Sequence, residues 1–168
     1  DPYAARLCEL DVDIPPLREP KVLPGPTGER DTYELLPRGS VLCRAETRLG
    51  ALAQLAAALA TGNVACLVKN ALTLALIAEL PAPIAAQACL VAGLSEKSAA
   101  SKSDDFGAGL VEADESGIAA WARRFAERDG PIVTPQCLTP DELAAAAHYA
   151  LGWLGTERTR GITTEAAG

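Results

Sequence analysis

Residues Val64-Ala65-Cys66-Leu67-Val68 form an unbroken apolar run, preceded by Gly62-Asn63 and followed by Lys69-Asn70. A short strand that is apolar at every position is buried on both faces, and that happens when helices cover both faces of a parallel sheet. The flanking sequence supplies such helices. Leu49, Leu52, Leu55, Ala56 and Leu59 recur at spacings of three and four, the stripe of an amphipathic helix, and Gly62-Asn63 suits its left-handed C-cap. Ala71–Leu80 reads as a second helix, stopped by Pro81. Val41–Ala45 and Ala88–Val91 are further short apolar runs of strand type.

The second half continues the alternation. Leu110–Val111 is a weak strand signal, and Ile118, Trp121, Ala122 and Phe125 then mark one helical face that ends at Asp129-Gly130. Ile132–Thr134 is expected as another strand. Thr139-Pro140-Asp141-Glu142 is a helix start, with an N-cap Thr, Pro at the first position and early acids. Leu143, Ala147, Ala150, Leu151 and Leu154 are expected as the buried face of that helix, and Thr159–Thr164 as a final strand. Ser95–Asp105 is polar and Ser-rich, hence a loop. Five or six short strands alternating with four helices imply parallel βαβ units and a Rossmann-like layered α/β sheet, mostly parallel.

Composition narrows the partners. Apolar residues make up 49% of the chain but aromatic residues only 4%, so the core must be built from closely packed, Ala-rich helices. The net charge of −7 argues against nucleic acid or an anionic membrane surface as a direct partner, since both need a basic face. No apolar run reaches the ~18–20 residues that span a bilayer. The five cysteines, Cys8, Cys43, Cys66, Cys89 and Cys137, are widely spaced and mostly sit in apolar runs. They read as free thiols acting as small hydrophobes, which suits a reducing, cytoplasmic setting. The 168 residues contain no methionine, so the chain is expected to be a piece of a longer polypeptide.

Residues 1–32 are Pro-rich, with Pro15-Pro16, Pro20, Pro24 and Pro26, and are expected to form an extended linker with a short helical turn near Tyr3–Cys8. Within it, Leu23-Pro24-Gly25-Pro26-Thr27-Gly28-Glu29-Arg30-Asp31-Thr32 leads to Leu36-Pro37-Arg38-Gly39. These segments resemble the C-terminal region of the PutA family, bifunctional flavoproteins that oxidise proline to glutamate. Three further stretches resemble that family in the same order: Ala53–Asn63, Ala126–Val133 and Glu157–Gly168. The resemblance runs from about Leu23 to Gly168. It implies a vestigial domain of the aldehyde dehydrogenase superfamily, following an FAD-dependent proline dehydrogenase and an NAD-dependent glutamate semialdehyde dehydrogenase. In that setting the domain helps to cover the path between the two active sites.

The departures from the family pattern shape the expected role. Active aldehyde dehydrogenases carry Pro-Trp-Asn after their first strand, where the Asn helps to form the oxyanion hole. Here the corresponding stretch reads Arg44-Ala45-Glu46-Thr47-Arg48. Those enzymes also place Lys-Pro after the Gly-Asn strand, where the Lys holds a ribose. Leu67-Val68 takes those places, and Lys69 is displaced by two residues, ~7 Å along a strand. The terminal match ends one glycine into the family's Gly-Gly-Asn.

Other residues carry partial signatures of chemistry. Cys137 follows Gln136, as the nucleophile of aldehyde dehydrogenases follows a Gln, but the surrounding glycine is missing, and an ordinary loop thiol is expected. His148, the only histidine, is expected on a helix and partly exposed. Gly107 and Gly109 with Glu112 imitate half of a dinucleotide fingerprint but lack the third glycine, and are expected as a turn. Gly25 and Gly28 read as a turn, because no Lys-Ser/Thr follows to make a phosphate loop. Arg123 and Arg124 with Glu127 and Arg128 read as a solvated helix face with i, i+4 pairing.

The expected organisation is therefore a Pro-rich linker over 1–32, a Rossmann-like body over 33–158, and a C-terminal motif segment over 159–168 that needs a partner to form a strand. No catalytic, cofactor-binding or metal residue is assigned. FAD and NAD are expected in the parent enzyme and not in this segment, whose partners would be the parent's catalytic domains, in cis or across an oligomer. The alternative is a small dinucleotide-binding module with residual NAD affinity.

Overall fold

Two antiparallel strands open the computed structural model, which describes residues 20–25, 27–94 and 106–163. The turn expected near Tyr3–Cys8 and the loop expected over Ser95–Asp105 lie outside those residues. Strand β1 (Lys21–Leu23) pairs with β2 (Glu29–Pro37), Val22 facing Thr32, and Thr27-Gly28 turn between them. Gly28 has φ 90, a left-handed conformation that glycine takes without a Cβ clash. The boundary expected between 32 and 33 falls inside β2. Proline density reads as linker, yet among the described residues Pro20, Pro24 and Pro37 stand at or outside the strand ends, where a missing N–H costs the ladder nothing.

A parallel sheet follows. Strand β3 (Ser40–Arg44) leads into helix α1 (Arg48–Ala60), β4 (Val64–Val68), helix α2 (Ala71–Glu79), the short helix α3 (Ala82–Ala85) and β5 (Ala88–Val91). Strand β6 (Phe106–Glu112), helix α4 (Glu115–Ala126), β7 (Gln136–Leu138) and the short helix α5 (Pro140–Ala144) complete the layer. The sheet order is β5-β4-β3-β6-β7 and every neighbouring pair is parallel. This is the expected Rossmann-like layering.

Strand alternation divides the core into two faces. Val41, Cys43, Ala65, Leu67, Ala108 and Leu110 point to the face covered by α1, where Leu55, Ala57 and Ala58 are buried. Leu42, Cys66, Val91 and Val111 point to the other face, where Trp121 and Phe125 of α4 close the core with Ile118 beside them. Alanine at the α1 contacts lets the helix lie close to the sheet, as the low aromatic content implied. Two glycines on β6 serve the same fit: a Cβ on Gly109 would overlap the Phe125 ring, and one on Gly107 would overlap the Arg38 carbonyl. They are packing glycines within a strand, not the expected turn, because the flat backbone there lets Phe125 and Arg38 close in.

Two expected elements are corrected. Ile132–Thr134 is not a strand, and Ile132 is 98% exposed. The sheet strand is Gln136–Leu138, with Cys137 opposite Val111. Pro131 and Pro135 bracket the apolar pair and withhold the amides that a ladder needs. The helix expected from Thr139 to Leu154 ends at Ala144, and Ala146 turns left-handed with φ 74. Its start is as read: Thr139 and Glu142 form a reciprocal capping box. Residues 147–150 are irregular, and a single 3₁₀ turn, Leu151–Leu154, buries both of its leucines. The break lets the Tyr149 side chain reach back into the core.

Strand β8 (Gly155–Thr163) closes the chain on β2 over nine residue pairs, from Pro37 opposite Gly155 to Glu29 opposite Thr163. The partner that Thr159–Thr163 requires is thus within the chain. Glu34 faces Arg158 across this ladder and holds it through a hydrogen bond of 2.6 Å.

Candidate functional site at the switch point of the sheet

Strand order reverses between β3 and β6. In open α/β sheets ligands bind at the carboxyl ends of the strands at such a point, with phosphates on the amides of the first helix. Here those ends are Arg44 and Glu112. Glu112 is completely buried. Its Oε2 accepts from the backbone N–H groups of Glu46 and Thr47, each at 2.7 Å, and its Oε1 accepts from the Thr47 hydroxyl at 2.5 Å. Thr47 is also the N-cap of α1, and its Oγ1 accepts from the Gly50 N–H at 3.0 Å. The donors that would face an incoming anion are therefore turned to a carboxylate of the same chain. Gly50 makes room for it, since a Cβ there would overlap the Glu112 carboxylate.

A second polar group lies behind the first. Gln54 Nε2 donates to the Arg44 carbonyl at 2.8 Å and to the Tyr149 hydroxyl at 2.9 Å, and that hydroxyl donates to the Val111 carbonyl at 3.3 Å. Burial pushes the Tyr149 phenol up, which keeps it a donor. The stretch that replaces Pro-Trp-Asn is spent on internal contacts. Arg44 donates to the Ala45 carbonyl at 2.7 Å, pairs with Glu46 at 3.1 Å and lies over the Trp121 ring. Arg48 reaches Glu79 at 2.6 Å.

The ribose position fares no better. Leu67 is fully buried in the core, and Lys69 is exposed beyond the strand end, where its N–H donates to the Val91 carbonyl at 2.7 Å. At the switch point the amides of Glu46 and Thr47 and the Leu67 side chain are thus all engaged within the chain.

The remaining sequence candidates are scattered. Cys137 is in β7, not a loop, and burial raises its pKa, the opposite of an activated nucleophile. His148 is exposed on the irregular segment, not on a helix. Arg124 lies 4.9 Å from the Trp121 ring centre, a cation–π contact at the helix surface. A shallow cleft of about 200 Å³ near Arg38, Ile132, Gln136 and Trp153 is lined by no carboxylate, thiol or imidazole. Among the described residues no cluster of three or more His, Cys, Asp or Glu could hold a metal, and no helix is long and apolar enough to cross a membrane.

Two arrangements escaped the sequence reading. Glu112 stands out in the sequence only for occupying the place of a third fingerprint glycine, whereas a Glu closing the apolar run Leu110-Val111 is already a sign of a buried carboxylate seeking donors. Cys66 and Cys89 stand opposite each other on β4 and β5 with their sulfurs 3.1 Å apart. Periodicity places each in an apolar run but carries no register between strands.

The layered sheet and its strand order define a Rossmann-like α/β segment. Solved structures share the fold: a proline utilization A (PutA) structure with proline bound in remote sites aligns with TM-score 0.58 at 22% identity, covering 82% of this chain and 14% of that one. A protein described as an aldehyde dehydrogenase, from Burkholderia cenocepacia, aligns with TM-score 0.50 at 17% identity, over 80% of this chain and 29% of that one. The chain is homologous to PutA. It is 34% identical over 167 residues to the bifunctional protein PutA of Salmonella typhimurium, covering 99% of this chain, and 37% identical over 147 residues to that of Rhizobium meliloti, covering 87%. It spans 12% of the length of each relative. No protein-family model matches the chain.

Proposed function

We propose that this chain is the C-terminal, non-catalytic segment of a PutA-type bifunctional enzyme that oxidises proline to glutamate, and that it encloses the path between the two active sites. The parent carries FAD and NAD in its catalytic domains, and this segment carries neither. Those domains, in the same polypeptide or across an oligomer, are its partners, and the setting is cytoplasmic. Homology to PutA supports the parentage. The parallel sheet and its helices supply the dehydrogenase-like body, and the C-terminal stretch from β8 onward supplies the terminal motif of the cover. The fold alone would permit coenzyme binding, so the role is argued from the site.

One observation carries the non-catalytic reading: the Glu112 carboxylate takes the amides of Glu46 and Thr47, which a bound phosphate would need. An added pyrophosphate would have to displace a buried carboxylate and meet its charge. Equilibrium dialysis of the intact parent polypeptide against NAD tests this directly. One NAD per polypeptide is expected. Two would overturn the reading and favour a dinucleotide-binding module.

A further inference from the structure

Cys66 and Cys89 are a matched pair in a sheet that otherwise buries single thiols. They are direct register partners on adjacent parallel strands, and their sulfurs approach to 3.1 Å. Register partners on neighbouring strands lie about 4.8 Å apart, inside the Cα range that a disulfide spans. Cys66 is buried, whereas Cys89 is half-buried on β5, the edge strand of the sheet. Cys89 is therefore the partner nearer to solvent and Cys66 the one behind it. Two thiols alone do not complete a tetrahedral metal site, and among the described residues no group of three ligating side chains forms.

We propose that Cys66 and Cys89 form a two-electron redox site that closes to a disulfide with a peroxide. The Cys89 thiolate attacks one peroxide oxygen and the O–O bond breaks. This leaves a sulfenic acid on Cys89, and the other oxygen departs as hydroxide, which takes up a proton to become water. The Cys66 sulfur then attacks the Cys89 sulfur, the S–O bond breaks, and the hydroxyl leaves with the Cys66 proton as a second water. Two thiols are oxidised and one peroxide is reduced. The hydrogen bond between the two sulfurs holds the Cys89 thiol below its usual range, while that hydrogen bond and burial push Cys66 up. Cys43 and Cys137 are both raised by burial and have no sulfur opposite them in the register. The closed disulfide would pin the edge strand to its neighbour.

The sequence makes the test direct. Trypsin releases Cys66 alone in Leu49–Lys69 and Cys89 alone in Asn70–Lys97. The intact reduced polypeptide is treated with hydrogen peroxide, its remaining thiols are alkylated, and the digest is weighed. The expected product is these two peptides joined and two hydrogens lighter than their sum, restored by dithiothreitol. In Cys66→Ser, dimedone should trap a sulfenic acid on Cys89. In Cys89→Ser, Cys66 should stay reduced. Cys89 should also alkylate roughly tenfold faster than Cys43 or Cys137. Absence of the joined peptide, over-oxidation of Cys89 in its place, or equal labelling of all the thiols would overturn the proposal.

Discussion

Gly50 and Glu112 occupy one space: the missing Cβ of the first is where the carboxylate of the second lies. The carboxylate in turn holds the start of α1 through Glu46 and Thr47. Each residue is thus explained by the other. Gly50→Ala should destabilise the protein by ~1–3 kcal/mol through overpacking. Glu112→Ala should cost about 1.5–3 kcal/mol, because buried donors lose a charged acceptor. The double variant should lose clearly less than the two single losses added, since the alanine at 112 vacates the space that the methyl needs. Denaturant melts of the four proteins give the coupling, and simple additivity would refute the pairing.

The two tryptophans should behave oppositely. Trp121 is 9% exposed and packs against Phe125 with ring centres 6.5 Å apart, whereas Trp153 is 66% exposed. Trp121→Ala should cost ~3–5 kcal/mol by opening the sheet face under α4. Trp153→Ala should stay within about 0.5 kcal/mol. Thermal melts would show whether the larger effect belongs to Trp121.

Asn63 carries a structural duty behind the Gly-Asn resemblance. Its Oδ1 accepts from the Gly39 N–H at 2.8 Å, and its Nδ2 donates to the Leu154 carbonyl at 3.0 Å and the Thr61 hydroxyl at 2.7 Å. It therefore ties the entry of β3 to the exit of the 3₁₀ turn just before β8. Asn63→Ala should cost ~1–3 kcal/mol by removing three hydrogen bonds made by a buried side chain. Asn63→Asp should also destabilise, because the amide donors are lost. A variant as stable as the parent would mean that the tie carries no weight.

These cases show where sequence is informative and where it stops. The β4 run and the α1 stripe are local patterns, so Val64–Val68 and Ala88–Val91 could be read to the residue. Ile132–Thr134 misled because its apolar pair carries no sign of the missing proline amides on either side, and Ile132 ends in solvent. The break at Ala146 is set by Tyr149 reaching Gln54, a contact 95 residues away in sequence. Glu112 and the Cys66–Cys89 pair likewise depend on register between strands, which composition and period do not encode.

Acid should loosen two helix starts. The Asp114 carboxyl is held below its usual range by the Gly117 N–H and the Ser116 hydroxyl, and Glu142 by the amide and hydroxyl of Thr139. A depressed carboxyl contributes stability above its unfolded pKa and loses it as pH falls through the folded one. The difference in Tm between wild type and Asp114→Ala should therefore be fully present near neutral pH and shrink below the ordinary carboxylate range. A difference that stays constant into acid would show that the cap does not act through its charge.

Strand β8 offers a test of the enclosure role. It is an edge strand of the three-stranded sheet, with β2 on one side and no strand on the other among the described residues. In the isolated chain, amides of 155–163 that point to β2 should exchange slowly with solvent, and the alternate amides that point away should exchange fast. An exposed edge of this length needs cover in a soluble protein. In the intact polypeptide the outward amides should therefore become protected as well. Removing residues 159–168 there should spare each half-reaction but lengthen the lag before glutamate semialdehyde is consumed. An unchanged coupled time course, with the outward amides still exchanging fast, would rule out the enclosure role for this strand.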